Sequence, residues 1–305
     1  MRVATSFFTQ HASADLQRAQ LEMLTAQRQA STERKATDLK GYERDADQLI
    51  SSRGFLERAD AYVKSGGEVL NRLDVQDLAL SRIREAGDTL RVALTDAVGL
   101  DRGDEVMAHV ETAFFNTLGA MKTTYAGKYL FGGVRDDTSP VNVNSLNDLE
   151  AALVVDDIFD NAQRRAQVQI DPQNTIEVGP LASDVSRDLF DALKRIKEYV
   201  TLNGQFTTPL TTAQRTFLQT EISNLAAISK GLVQEESLNG AVYQRADSLI
   251  QKQTEQRDYY DGLVADVQHV DLAEVATRLT ASQLQLEASA RVFATLQQST
   301  LLNYL

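Results

Sequence analysis

"VDLAEVATRLTASQLQLEASARVF", Val270 to Phe293, is the stretch on which the fold turns. Leu272, Leu279, Leu286 and Phe293 recur every seven residues, with Val275, Ala276, Ala290 and Leu296 at the partner positions. Such a sustained repeat predicts a helix that packs lengthwise on another helix. Each buried Leu or Phe contributes about 1.5–3 kcal/mol, and only if something covers it. A second seam lies toward the other terminus. Leu49, Leu56, Val63 and Leu70 are again spaced by seven, and Leu73, Leu80, Ile83 and Leu90 continue the apolar line.

The prolines say what lies between the seams. All four fall from Pro140 to Pro209, leaving residues 1–139 and 210–305 free of them. Proline inside a helix costs about 3 kcal/mol, so this distribution reads as helix, insert, helix. Charge agrees. Residues 136–184 hold ten acids against Arg164 and Arg165, a net of −8 within a chain total of −12. Local signals fill in the pattern. "TTAQ", Thr211 to Gln214, is a capping box that opens a helix after Pro209, and "SLND", Ser145 to Asp148, has the same form. "AQVQIDPQNTIEVG" alternates Val168 and Ile170, turns at Asp171 to Asn174, and resumes with Ile176 and Val178, which is a hairpin. The insert is therefore expected to be a separable α+β or mostly β lobe.

"YAGKYLFGGVRDD", Tyr125 to Asp137, is the one glycine-rich motif. Gly127 and Gly132 have the spacing of a phosphate loop, but Gly133-Val134 stands where Lys-Ser/Thr would meet phosphate and magnesium. A dinucleotide fingerprint would open a helix after a strand, and here a strand-like run follows a helix. The expected roles are structural. Gly127 ends a long helix as its C′ residue, and Gly132-Gly133 turns the chain into the insert.

Composition removes several function classes. No cysteine means no disulfide, no thiolate zinc site and no cysteine nucleophile. His11, His109 and His269 lie far apart in the sequence, so no helical metal pair is spelled out. The acidic balance disfavours nucleic acid. No run approaches the roughly 20 apolar residues of a membrane span, and the N-terminus lacks the apolar segment of a cleaved signal. We expect no cofactor, no metal, no nucleic acid and no membrane partner. The best enzymatic constellation is Asp156, Asp157 and Asp160 with Arg164 and Arg165. Paired carboxylates of this kind can do acid–base work or hold a divalent cation. The competing reading is a solvated helix face with an Asp160–Arg164 pair. A cytoplasmic coiled-coil scaffold would account for the heptads alone.

Several stretches resemble the flagellin family of bacterial flagella, most closely its hook–filament junction branch. "GKYLFGG" from Gly127 is similar to that branch's turn into its variable domain, and "LALSRIREAGDTL" from Leu78 to the family's long N-terminal helix. "NGAVYQRADSLIQ" from Asn239, the opening stretch and "QQSTLLNYL" at the end resemble the C-terminal arm. "STERKATDLKGYERDADQL" from Ser31 departs from the family's usual sequence. The resemblance implies a mainly α fold: an elongated helical rod or coiled coil of N- and C-terminal arms folded back on each other, with a small β-containing insert. Its expected parts are an assembly and export arm over 1–40 and rod helices with a strand over 41–135. The acidic lobe over 136–184, further rod helices over 185–269 and an assembly arm over 270–305 follow. It implies a non-enzymatic, extracellular flagellar protein, exported without a cleaved signal peptide. Its implied partners are copies of itself in a helical ring, neighbouring hook-associated protein 1 and flagellin, and an export chaperone.

Overall fold

The computed structural model describes residues 2–302 and the side chains of residues 10, 11 and 13–295. Seven α-helices carry the described chain: α1 (Arg2–Thr32), α2 (Ala46–Leu100), α3 (Val106–Met121), α4 (Leu146–Ala151), α5 (Ala182–Asn203), α6 (Thr212–Gln268) and α7 (Leu272–Leu302). Two antiparallel strand pairs complete it, β1 (Thr124–Tyr125) with β2 (Lys128–Tyr129) and β3 (Ala166–Gln169) with β4 (Thr175–Val178). The chain is mainly α, as the seams predict. It divides into two units, residues 1–59 with 255–305, and residues 60–254, so α2 and α6 each contribute to both.

In the larger unit, one core draws on four helices. Leu80, Ile83, Leu90 and Leu94 of α2 meet Val110, Phe114 and Met121 of α3, Leu189, Phe190 and Leu193 of α5, and Leu218, Leu225 and Leu232 of α6. Phe190 sits edge-on to both Phe114 and Phe159, with ring centroids 5.9 and 6.2 Å apart. Polar ties fix the helices along their length. Arg195 of α5 forks onto buried Glu221 of α6 at 2.9 Å, and Arg84 of α2 reaches Glu236 of α6 at 2.9 Å. Arg215 joins Asp101 at 2.7 Å where α6 begins and α2 ends. Bidentate pairs of this kind give register as well as energy.

The seam on α2 differs from the one its large residues predict. Leu49 is buried with Tyr42, Val264 and Val267, but Leu56, Val63 and Leu70 are only half-buried. The strictly buried heptad is Ser52, Ala59, Gly66, Leu73, Leu80, Gly87 and Leu94. Its N-terminal half is small because the helices come close there: a Cβ on Gly66 would lie 2.4 Å from Ile250 Cγ1 of α6. On α6 the buried heptad is Leu218, Leu225, Leu232, Asn239, Ala246 and Gln253. Asn239 donates its amide to Leu73 O at 3.2 Å, a polar knob that fixes which turns face each other.

Residues 136–184 do not form a core of their own, which corrects the expectation of a separable lobe. Val141, Val143, Leu146, Leu149, Val155 and Ile158 enter the four-helix core. The β3–β4 hairpin, at the predicted residues, lays Ile170, Ile176 and Val178 on Val69 and Leu73 of α2 and Ala246 of α6. The capping box Ser145–Asp148 opens α4, and Lys194 of α5 closes it by donating to the carbonyls of Leu149, Glu150 and Ala152. A buried ammonium satisfying orphan carbonyls is a strong tie between insert and helix.

The long helix also ends earlier than expected. α3 stops at Met121, and Ala126-Gly127 is the two-residue turn of the β1–β2 hairpin, with φ of 51° and 78°. Two successive positive φ values are what a tight hairpin turn requires. Gly133 has φ 67°, and a Cβ there would lie 2.4 Å from Arg164 O, while one on Gly132 would lie 2.2 Å from Arg135 O. Both glycines let the backbone fold closely on itself at the start of the insert.

Candidate assembly surface

In the smaller unit α1 and α7 pack along each other. The linkers that join them to α2 and α6 are stitched together where they cross. Lys35 N donates to Gln268 O at 2.7 Å and Val270 N to Glu33 O at 3.2 Å, forming an antiparallel bridge between Arg34 and His269. Lys35 Nζ adds a bond to Asp266 O at 3.1 Å. Asp271 then caps α7, accepting from Ala273 N and Glu274 N, and Asp38 caps the short 3-10 turn before α2. Both arms therefore start from one fixed crossing.

Leu279, Leu286 and Phe293 are half-buried, while Leu272 is exposed. Ala276 and Ala290 are exposed as well, and Leu296 lies outside the described side chains. The other half of the seam is Val275, Ser282 and Ser289, of which Val275 and Ser282 are buried. On α1 the facing line is Leu16, Ala19, Met23 and Ala26, with the two alanines buried. Small residues at the centre of a pair let two helices approach closely, and they bury little apolar area in doing so. A search for large apolar repeats finds Leu279, Leu286 and Phe293 and passes over Ala19, Ala26 and Ser282. Small residues recurring every seven positions, Ala19 with Ala26 and Ser282 with Ser289, are the signal of this line.

Other large side chains of this pair stand in the open. Leu21 is 65% exposed and Leu284 70% exposed, and Leu24, Leu272 and Val292 are uncovered too. A cleft of about 490 Å³ runs between α1 and α7, edged by Arg18, Leu21, Glu22, Arg278 and Gln285. At the base of the unit Phe55 of α2 stacks on Tyr260 of α6 at 4.9 Å, with the Arg58 guanidinium 4.6 Å from the Phe55 ring.

The acidic constellation does not assemble. Asp156 pairs with Arg187 at 2.6 Å, and Asp160 and Arg164 lie in irregular chain rather than on a helix, so the expected helical pair is not formed. Arg165 pairs instead with Asp184 at 3.1 Å. Among the described residues no three His, Asp or Glu side chains converge as a metal site would need, and no helix is long and apolar enough to cross a membrane.

Residues 213–305 match the family model of the bacterial flagellin C-terminal helical region. No curated protein sequence matches the chain. Among solved structures, a protein from Vibrio parahaemolyticus described as a flagellar hook-associated protein superposes with a TM-score of 0.58. The identity is 13%, over 73% of this chain and 97% of that one. FlgL of Bacillus cereus superposes with a TM-score of 0.50 at 11% identity, over 67% of this chain and 98% of that one. At such identities the likeness is one of fold.

Proposed function

We propose that this chain, a flagellin-family protein by the match of its residues 213–305, is a structural subunit of the bacterial flagellum that joins hook to filament. The observation that carries the reading is the α1–α7 pair. Its own contact runs through Ala19, Ala26, Val275 and Ser282, and it leaves Leu21, Leu24 and Leu284 in water. Apolar side chains lined up on paired helices and left uncovered mark a surface that other protein will bury. In a helical array every copy offers the same face, so one chain can satisfy many such contacts. Copies of itself, hook-associated protein 1 and flagellin are the neighbours this reading requires, with an export chaperone shielding the arms beforehand. On this reading the chain works at the cell exterior. Having no cysteine, it can travel unfolded with no disulfide to lock it.

A filament flagellin is the second reading. The fold likeness to a hook-associated protein and to FlgL favours the junction. A strain lacking the gene tests both. A junction subunit leaves hooks bare and filament subunits in the medium, and immunogold finds the restored protein only at the hook–filament boundary. Labelling along whole filaments would replace the junction with the filament, and a protein absent from sheared flagella would end both readings. Leu286→Asp with Phe293→Asp should reproduce the deletion phenotype, because a charge placed in the seam has no partner.

A further inference from the structure

Outside the terminal arms, an uncovered and partly apolar groove lies along α2 and α3 in the larger unit. Two clefts of about 330 and 540 Å³ share Thr89 and together follow the seam between these helices from Gly119 to Leu100. Val92 and Leu100 edge one cleft and Phe115 the other, all three roughly half or more exposed. The lining carries Glu85, Asp96, Asp104 and Glu105 against Arg82 and Arg102, and Arg102 is already paired with Asp104 at 3.4 Å. It is a half-apolar, acidic groove between two helices, the shape that accepts a third helix.

The same unit exposes a helix face of the opposite character. Lys230, Val233, Ser237, Ala241, Gln244 and Arg245 of α6 are all exposed, and no exposed acid lies between residues 222 and 246. We propose that the α2–α3 groove of one copy receives this α6 face of a second copy. The proposal rests on the reading of the chain as an assembling flagellar subunit and adds a lateral contact to it.

Size favours a second copy over a soluble partner. The 16 residues of α3 make the groove about 24 Å long, and a helix about 10 Å wide covers roughly 240 Å² of it. That is about a third of the roughly 800 Å² per partner in a standard stable interface. One such contact does not hold two molecules together, but an array that repeats it between tethered copies does. The groove and the α6 face use different residues, so the contact is heterologous and can repeat from copy to copy in a ring or a helical array.

The absence of cysteine makes a clean test possible. Val92→Cys and Ser237→Cys chains are co-expressed in the deletion strain, flagella are sheared off, and a short bis-maleimide is added. The expected product is the mixed dimer, at least fivefold above either homodimer and above any dimer made with Asn147→Cys as the control partner. Asp96→Lys with Glu105→Lys in the Val92→Cys chain should lower the yield at least fivefold. Adding Lys230→Glu with Arg245→Glu in the other chain should restore it. Subunits present in flagella but cross-linking at control level, or indifferent to charge reversal, overturn the lateral contact and leave the flagellar role standing. Subunits absent from flagella overturn the role itself.

Discussion

The two units solve the same problem with opposite materials. The α2–α3–α5–α6 core buries Phe114, Phe190, Leu80, Leu90 and Leu193 completely, and ties its helices with Arg195–Glu221 and Arg84–Glu236. The α1–α7 pair fully buries only alanine, valine and serine among its described side chains, half-buries Leu279 and Leu286, and leaves Leu21, Leu24, Leu272 and Leu284 exposed. The first arrangement is what a body needs to be stable alone. The second leaves large apolar side chains uncovered, and the proposed function has other chains cover them. The contrast separates stability from assembly: mutations in the two units should affect different measurements.

The largest effect tests how far the body extends. Replacing residues 136–184 with a Gly/Ser linker removes Val141, Leu149, Val155 and Ile158 from the core and the hairpin from Leu73. Each lost side chain is worth about 1.5–3 kcal/mol, so the four named core residues alone account for about 6–12 kcal/mol, on the scale of the roughly 5–15 kcal/mol that holds a typical domain folded. The larger unit should then fail to melt cooperatively by circular dichroism. A cooperative melt at the original temperature would restore the idea of a separable lobe.

Next comes a single ring. Phe190→Ala empties the meeting point of Phe114 and Phe159 and should cost about 3–5 kcal/mol in urea unfolding. A smaller effect of opposite sign is expected at Gln76, which is fully buried and whose amide nitrogen and oxygen find no partner among the described residues. Gln76→Met keeps the volume and removes the orphan groups, so it should raise stability by about 1–3 kcal/mol. A loss of stability there would mean the amide is bonded.

What could be read beforehand follows the size of the side chains. The β3–β4 hairpin and the capping boxes at Ser145 and Thr211 are written in turn and cap residues whose chemistry is local, and they stand where those residues put them. The helix seams were found by their large members and misplaced wherever the true knobs are small. Gly66, Ala59 and Ser52 carry α2 past α6, and Ser282 carries α7 past α1, yet none of them is a large apolar residue. The charge and prolines of the insert describe its surface. Its core membership depends on Val141, Leu149 and Ile158 meeting residues distant in sequence, and no local pattern encodes that. The acidic constellation is undone in the same way: Asp156 pairs with Arg187, 31 residues away in sequence, and no local pattern encodes that pairing.

The smallest stability effect is the most telling for function. Leu21→Ser with Leu284→Ser changes two side chains that already stand in water, 65% and 70% exposed. Exposed substitutions of this kind usually move stability by less than about 0.5 kcal/mol, so the urea midpoint of the purified chain should not change measurably. Neither residue contributes to the buried line of Ala19, Ala26 and Ser282, so the arms should still pair. In a flagellum, however, both leucines are expected to lie against neighbouring copies, and losing two buried leucines would cost about 3–6 kcal/mol at every contact. The double variant should therefore be exported, folded and unable to support filaments. Filaments of normal length would show that the uncovered leucines are ordinary surface. A large drop in the urea midpoint would show that they belong to the fold of the single chain, and the division between a self-sufficient body and socially completed arms would fall.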